Sequence, residues 1–152
     1  MNRSIPLQGS RTQLVNQLVY FDEQKQEFLD HYFPNSGRER LKIDQLLSDY
    51  AKTLEGILAG FTQESLNSTV LIGSRMRLLY VEDGLTESYT VVFPHQAEPN
   101  ENKVSFLSPI GLQLLLAKTN ETCRLKVPSG ELEVRLEEIR YNNSGHVENA
   151  LE

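Results

Sequence analysis

Acidic and basic residues share one short stretch of the chain, and their types allow two kinds of chemistry. The acidic members are Asp30, Glu39 and Asp44. The basic members are Arg38, Arg40 and Lys42. Carboxylate oxygens are preferred ligands of Mg²⁺, whereas Arg and Lys bind phosphate groups. Positions 35 to 42 hold three cations and one carboxylate, a local charge of +2 that disfavours a divalent metal. The pattern predicts no metal site and leaves open either phosphate contact or a solvated turn.

The other residues with chemical potential are too scattered to predict a catalytic site. The three histidines stand far apart and Cys123 is the single cysteine, so neither a metal site nor an internal disulfide is predicted. The sequence lacks glycine-rich phosphate-binding motifs, GxSxG and HExxH. Glu137 and Glu138 are adjacent in a strand-like segment, which predicts side chains on opposite faces. We expect no catalytic residue and no cofactor.

The overall charge favours a protein partner over a nucleic acid. The 152-residue chain carries a formal net charge of −6, whereas broad contact with a phosphate backbone needs clustered Lys and Arg. No apolar run reaches the roughly 18 residues of a membrane-spanning helix, and the N-terminus lacks the apolar core of a secretory signal. We therefore expect a cytoplasmic monomer that does not contact a membrane.

The first sixty residues show the spacing of two amphipathic helices. Apolar residues alternate at spacings of four and three, with Lys25 at the one polar step of the first series. The first series is Leu14, Leu18, Phe21, Phe28 and Tyr32, and the second is Ile43, Leu47, Tyr50, Leu54, Ile57 and Phe61. The turn formers "PNSG" lie between them. The pattern predicts an antiparallel helical hairpin, a short coiled coil with arms of about 33 Å. Two core helices of a compact bundle are the alternative.

The second half changes to the pattern of β-strands. Strand-like segments occupy 69–81, 88–93, 122–127 and 131–141. Ser108 as N-cap and Pro109 as first helical residue predict a helix that starts at Pro109. The sequence therefore predicts an α+β fold, in which a mostly antiparallel sheet of four strands packs on one helix. The predicted divisions are a helical hairpin at 1–64, a sheet domain at 65–145 and an acidic tail at 146–152.

Three stretches of the second half follow one another in a recognisable order. They are "VLIGSRMRLLY", "ESYTVVFPHQAEPNENKVSFLSPIGLQLLLAK" and "VPSGELEVRLEEIRY". They contain a Gly-Ser pair that opens a strand, a Tyr-containing strand, a Ser-x-x-Ser-Pro-x-Gly helix start and a closing pair of strands. Residues 70 to 141 thereby resemble the C-terminal, FKBP-like domain of the bacterial factors GreA and GreB. The family also has a helical hairpin ahead of this domain, and the short arms here are closer to the Rnk-like members.

The resemblance implies an accessory role at RNA polymerase. Gre-like proteins dock on the rim of the polymerase secondary channel, and acidic residues at the hairpin tip help to hold a catalytic Mg²⁺ for transcript cleavage. The docking residues implied here are Ser105, Phe106, Leu107, Ser108 and Pro109. The hairpin tip residues implied here are Asp30, Arg38, Glu39, Arg40 and Asp44.

The family's Gly-Asp-Leu-x-Glu-Asn type of tip motif is absent from "LDHYFPNSGRERLKID". We therefore expect a regulator of transcription elongation that binds RNA polymerase core, is not itself an enzyme and does not stimulate transcript cleavage. Contact with nucleic acid or nucleotide is expected only indirectly, through the polymerase.

Two other functions fit parts of the sequence. The FKBP-like architecture also implies a peptidyl-prolyl isomerase, although a chain with no Trp and 8% aromatic residues poorly matches the aromatic pocket of those enzymes. The hairpin seam could alternatively pair with another chain, which would make the protein a non-catalytic adaptor. Both alternatives stay open at the level of sequence.

Overall fold

The computed structural model describes residues 4–147, which fall into two compact units. Of the described residues, 4–62 together with His146 and Val147 form one unit, and Gln63–Gly145 form the other. Apart from His146 and Val147, the predicted acidic tail at 146–152 lies outside the described residues. Among the described helices, none is long and apolar enough to cross a lipid bilayer.

The first unit contains the predicted helical hairpin, which is confirmed. Its helices are α1 (Ser4–Tyr32) and α2 (Arg38–Ala59). α1 begins well before the point at which the apolar spacing starts, and it is kinked at Gln24, where φ is −123° and ψ is 16°. The buried residues of α2 are Ile43, Leu47, Tyr50, Leu54 and Ile57, as the spacing predicts. Phe61 lies beyond α2 and is half-buried.

The predicted seam of α1 is buried at Leu14, Phe21 and Phe28 and half-buried at Leu18 and Tyr32. Gln17 is buried where the spacing places Leu18, because its Oε1 accepts a hydrogen bond from the Tyr50 hydroxyl at 2.5 Å. A buried amide is tolerated when it has such a partner. Lys25 is the one polar residue in the predicted apolar series of α1, and its Nζ lies 2.7 Å from Asp44 Oδ1. Polar contacts therefore join the two helices alongside the apolar seam.

The second unit is a five-stranded sheet with two short helices. In chain order its elements are α3 (Gln63–Leu66), β1 (Ser74–Tyr80), β2 (Leu85–Val92), β3 (Lys103–Ser105), α4 (Pro109–Leu114), β4 (Thr122–Val127) and β5 (Gly130–Tyr141). Two 3₁₀ turns, Pro94–Gln96 and Pro99–Glu101, connect β2 to β3. The strand order across the sheet is β3-β2-β1-β5-β4.

The sheet is mixed and mostly antiparallel, as predicted, but it has five strands where the sequence predicts four. β3 runs parallel to β2, with Val104 opposite Val91, whereas the other neighbouring strands are antiparallel. All three residues of β3 are half-buried, so the strand is too short and too uniform to show an alternating pattern in the sequence. The α+β class itself is confirmed.

A β-bulge in β5 corrects the prediction for the adjacent glutamates. Arg77 lies opposite Glu138 and Leu78 opposite Leu136, so Glu137 is an extra residue in the ladder. The Arg77 guanidinium consequently approaches Glu137 at 3.5 Å and Glu138 at 4.0 Å. Both carboxylates therefore lie on the same side of the sheet, where they form a surface ion cluster instead of facing apart.

The core of the second unit lies on the opposite face of the sheet. Met76 and Leu78 of β1 are buried there, and α4 packs against β3 and β4. The rings of Phe93 and Phe106 meet edge to face, with centroids 5.8 Å apart and an interplanar angle of 88°. The segment that follows β3 is thus anchored in the core by Phe106.

Candidate functional site

Residues 105–109 join β3 to α4 and form the Ser-Pro segment. Hydrogen bonds of its two serines hold this segment in place. Ser105 Oγ accepts a hydrogen bond from the backbone N–H of Leu107 at 2.9 Å. Ser108 Oγ donates to the carbonyl oxygen of Ser105 at 2.7 Å and accepts from the Gly111 N–H at 3.1 Å. Ser108 is therefore the N-cap of α4 and Pro109 its first residue, which confirms the predicted helix start.

Gly111 allows α4 to lie directly against this segment. A Cβ atom at this position would stand 2.2 Å from the carbonyl oxygen of Ser105 and 2.8 Å from Cα of Phe106. Contacts this short are sterically forbidden, so only glycine fits without a shift of the backbone. The Ser-Pro segment is therefore a rigid feature of the surface, because its ends are fixed by β3 and α4.

The exposure of the five predicted docking residues separates them into two groups. Pro109 is exposed, and Ser105, Leu107 and Ser108 are half-buried, so each of these offers some surface to a partner. Phe106 is fully buried against Phe93. This burial leaves Phe106, one of the predicted docking residues, no exposed surface for a partner, since its ring is already used in the core. The surface that remains is small and centred on Pro109.

Arg40 joins the two ends of the hairpin turn. Its Nη1 donates to the carbonyl oxygen of Phe33 at 2.9 Å, and its Nη2 donates to Gln26 Oε1 at 3.3 Å. The same Nη2 lies 2.9 Å from Asp30 Oδ1. The side chain of Arg40 is 19% exposed, whereas that of Asp30 is 69% exposed. Arg40 therefore stabilises the conformation of the turn. The sequence pattern did not indicate this role.

The other predicted tip residues do not converge on one site. Asp44 faces Lys25 within the hairpin, as described above, and so lies away from the turn. Arg38 and Glu39 are exposed in the first turn of α2. The turn encloses a shallow cavity of 290 Å³, whose lining includes Asn35, Ser36, Arg38 and Glu39. Of the three predicted carboxylates, two are thus in contact with a cation and one stands beside Arg38.

Within the part of the chain that the structure describes, no group of three or more His, Cys, Asp or Glu side chains is arranged to hold a metal ion. The pairing of Asp30 with Arg40 escaped prediction because the two residues stand ten positions apart, and only the antiparallel course of the helices brings them together. Opposite charges flanking a turn between two helical patterns are the signal that could have indicated it.

A model of one protein family matches residues 65–141, which is half of the chain. Its description is "Transcription elongation factor, GreA/GreB, C-term". The matched segment contains all five strands and the Ser-Pro segment.

Similar curated proteins from several bacteria are named transcription elongation factor GreA. The transcription elongation factor GreA of Listeria welshimeri is 36% identical over 76 residues, which cover 50% of this chain and 48% of that protein. GreA of Bacillus velezensis is 34% identical over 109 residues, 69% of each chain. The chain thus spans about half the length of the first of these relatives and more than two thirds of the second.

Solved structures of similar architecture include two bacterial proteins. Gfh1, a GreA factor homologue of Thermus thermophilus, is 23% identical, with 86% of this chain and 94% of that chain covered at a TM-score of 0.44. The GreA/GreB elongation factor of Nitrosomonas europaea is 26% identical, with 68% and 91% covered at a TM-score of 0.47.

Proposed function

Because this chain belongs to the GreA/GreB family of transcription elongation factors, we propose that it regulates transcription elongation by binding RNA polymerase. The observation that carries the proposal is the family match over residues 65–141, which includes the rigid Ser-Pro segment. The relatives are named as elongation factors. The protein acts in this proposal as a cytoplasmic monomer and as a modulator of the polymerase instead of an enzyme.

The proposed docking surface is the exposed part of the Ser-Pro segment, at the rim of the polymerase secondary channel. Pro109 presents a fixed, apolar ring, and Leu107 and Ser108 flank it with partly exposed surface. Rigid surfaces bind at lower entropic cost than mobile loops. The hydrogen bonds of Ser105 and Ser108 and the close contact at Gly111 supply that rigidity.

The proposed regulator does not stimulate transcript cleavage. Cleavage by the family's mechanism needs tip carboxylates that are able to hold Mg²⁺, and cations adjacent to a carboxylate compete with the metal. Asp30 pairs with Arg40, and Asp44 pairs with Lys25. Glu39 remains at the turn beside Arg38, which gives that pair no net negative charge. The exposed Arg38 is instead suited to indirect contact with phosphate groups inside the polymerase.

The docking is tested by retention of purified core polymerase on the immobilised full chain. We expect retention by the natural protein and a loss of at least about tenfold in affinity for a variant carrying Pro109→Ala and Leu107→Ser, since the centre of an interface dominates its energy. Pro128→Ala is the matched control, because Pro128 is also an exposed proline, in the turn between β4 and β5. Equal retention by the double variant would place the interface elsewhere, and no retention by the natural protein would reject the proposed partner.

A second assay tests the tip separately. Backtracked elongation complexes are incubated with the protein and the shortening of the RNA is followed on a gel. We expect cleavage at the intrinsic rate of the polymerase. Acceleration comparable to that by a cleavage-competent GreA would contradict the proposed inactive tip without affecting the docking proposal.

A further inference from the structure

An open cavity of 460 Å³ lies at one end of the sheet, where β1 turns into β2. Its walls include Tyr80, Leu85, Glu87 and Leu132. Tyr80 stands opposite Leu85 on β2, and Leu78 stands opposite Glu87. Leu78 is buried in the core, and Tyr80, Leu85 and Glu87 lie on the same face of the sheet as Leu78. The cavity therefore adjoins the core at the end of that face.

Apolar surface is exposed in and beside the cavity. Leu85 is 65% exposed and Leu132 is 36% exposed, and both line it. Val81, which directly follows the cavity residue Tyr80, is 43% exposed. Isolated exposed apolar side chains are common, but Leu85 and Leu132 line the same cavity and together form a surface on which a partner would bury apolar area.

The charged residues that line this cavity have one sign. Among the described residues that line the cavity, four of eight are acidic and none is Lys or Arg. The acidic members are Glu82, Asp83, Glu87 and Glu133. Such a lining repels phosphate and carboxylate groups and attracts cations.

Two tyrosines hold one of these carboxylates in place. Glu87 Oε2 accepts hydrogen bonds from the hydroxyls of Tyr80, at 3.0 Å, and Tyr89. Burial and the neighbouring carboxylate raise the pKa of Tyr89, which keeps its hydroxyl protonated as a donor. The two tyrosines project from the neighbouring strands β1 and β2 and therefore hold the Glu87 carboxylate at a defined position relative to Leu85.

We propose that this cavity is a docking site for a basic segment of a partner protein, with an Arg or Lys stem on Leu85 and Leu132 and its cation at Glu87. A methylene stem that ends in a cation matches an apolar surface bordered by carboxylates. A 460 Å³ cavity is large enough for such a side chain and its neighbours. The exposed side chains of Leu85 and Leu132 favour a polypeptide over a free polyamine, because a polypeptide supplies apolar neighbours to cover them.

This site is distinct from the proposed polymerase-docking segment. β2 begins at Leu85, at the cavity, and ends at Val92, and the parallel strand β3 ends at Ser105 beside that far end. The Ser-Pro segment and the cavity therefore lie at opposite ends of the same strands, so that two partners, or two parts of one partner, can be bound independently.

The test uses the ¹⁵N-labelled full chain and three probes followed by NMR chemical shifts. The probes are a capped Leu-Arg-Leu-Arg-Leu peptide, the same peptide with Gln in place of Arg, and spermidine. We expect saturable shifts at the amides of Leu85, Glu87 and Leu132 with the arginine peptide, weakened by added salt. Glu87→Gln and Leu85→Ser should each weaken this binding about threefold to fivefold.

Glu64→Gln is the matched control, since it removes one exposed charge in α3, which precedes the opposite end of β1. It should leave the affinity unchanged. Equal binding of the glutamine peptide, or no shifts with the arginine peptide, would overturn the proposal. Spermidine that matches the arginine peptide would also overturn it in favour of a small-cation site. Concentration-dependent shifts of the same amides without any probe would overturn it in favour of self-association.

Discussion

At the scale of the residue, Gly111 carries the tightest steric constraint among the features described here. We expect Gly111→Ala to lower the free energy of unfolding of the sheet unit by about 2–3 kcal/mol, because an added Cβ would lie 2.2 Å from the Ser105 carbonyl oxygen. Urea unfolding followed at NMR signals of β1 measures the change. Gly56→Ala is the control: beyond the helix's own backbone, no atom lies within 4 Å of its Cβ position in the last turn of α2, and it should stabilise the hairpin by about 0.5–1 kcal/mol. An unchanged midpoint for Gly111→Ala would show that α4 moves away from the loop without cost.

The hydrogen-bond and ion-pair partners of Arg40 should contribute unequally to the stability of the hairpin. The Asp30 carboxylate is 69% exposed, so its ion pair contributes little, whereas the hydrogen bond to the Phe33 carbonyl oxygen is partly buried. We expect Arg40→Met to destabilise the hairpin by about 1 kcal/mol, and Asp30→Asn by less than about 0.5 kcal/mol. Urea midpoints of the two variants give the comparison, with Arg38→Met as the exposed control. A larger effect of Asp30→Asn would mean that the ion pair, and not the backbone contact, holds the turn.

At the scale of the element, the edge strand β4 is protected by a side chain of α4. Gln113 Nε2 donates to the carbonyl oxygen of Lys126 at 3.1 Å, and the Lys126 N–H donates to Gln113 Oε1 at 2.7 Å. This glutamine forms the same pair of backbone hydrogen bonds that a neighbouring strand would form. Exposed strand edges promote aggregation, so the contact protects the free edge of β4.

We therefore expect Gln113→Ala to speed hydrogen exchange at the Lys126 amide and to increase association of the protein on concentration. Exchange measured by NMR and size measured by light scattering test both effects. Gln45→Ala is the control, because Gln45 bonds only within its own helix, to Asp49 Oδ1 at 2.9 Å. Slow exchange at Lys126 in the variant would show that another group protects the edge.

The elements differ in how far the sequence predicts them, and the difference is physical. The α2 seam follows from an uninterrupted four-three spacing, and the start of α4 follows from the local capping chemistry of Ser108 and Pro109. Gln17 in the hairpin seam depends on a hydrogen bond with Tyr50, which is distant in sequence. β3 and the bulge at Glu137 depend on pairing between strands, and the burial of Phe106 depends on its packing against Phe93. Contacts that only the tertiary structure creates are the ones that escaped prediction.

At the scale of the whole molecule, the family match and the hairpin occupy different units. The match begins at residue 65, beyond the end of α2, so the sheet unit carries the relationship on which the proposed docking depends. The tip residues lie outside it, and their paired charges separate the proposed activity of the hairpin from that of a cleavage factor. The proposed docking and the proposed lack of cleavage stimulation therefore depend on different units of the chain and are open to separate tests.

This separation predicts that the protein competes with a cleavage-competent GreA on backtracked complexes. With GreA held constant, increasing amounts of the protein should lower the rate of RNA cleavage towards the intrinsic rate. In the proposal, the occupied docking site excludes the active factor and the hairpin tip does not hold Mg²⁺. The variant with Pro109→Ala and Leu107→Ser should need at least about ten times more protein for the same inhibition. Pro128→Ala should inhibit as the natural protein does. Cleavage that stays at the full GreA rate at saturating protein would mean that the two do not share a site, whatever the strength of polymerase binding.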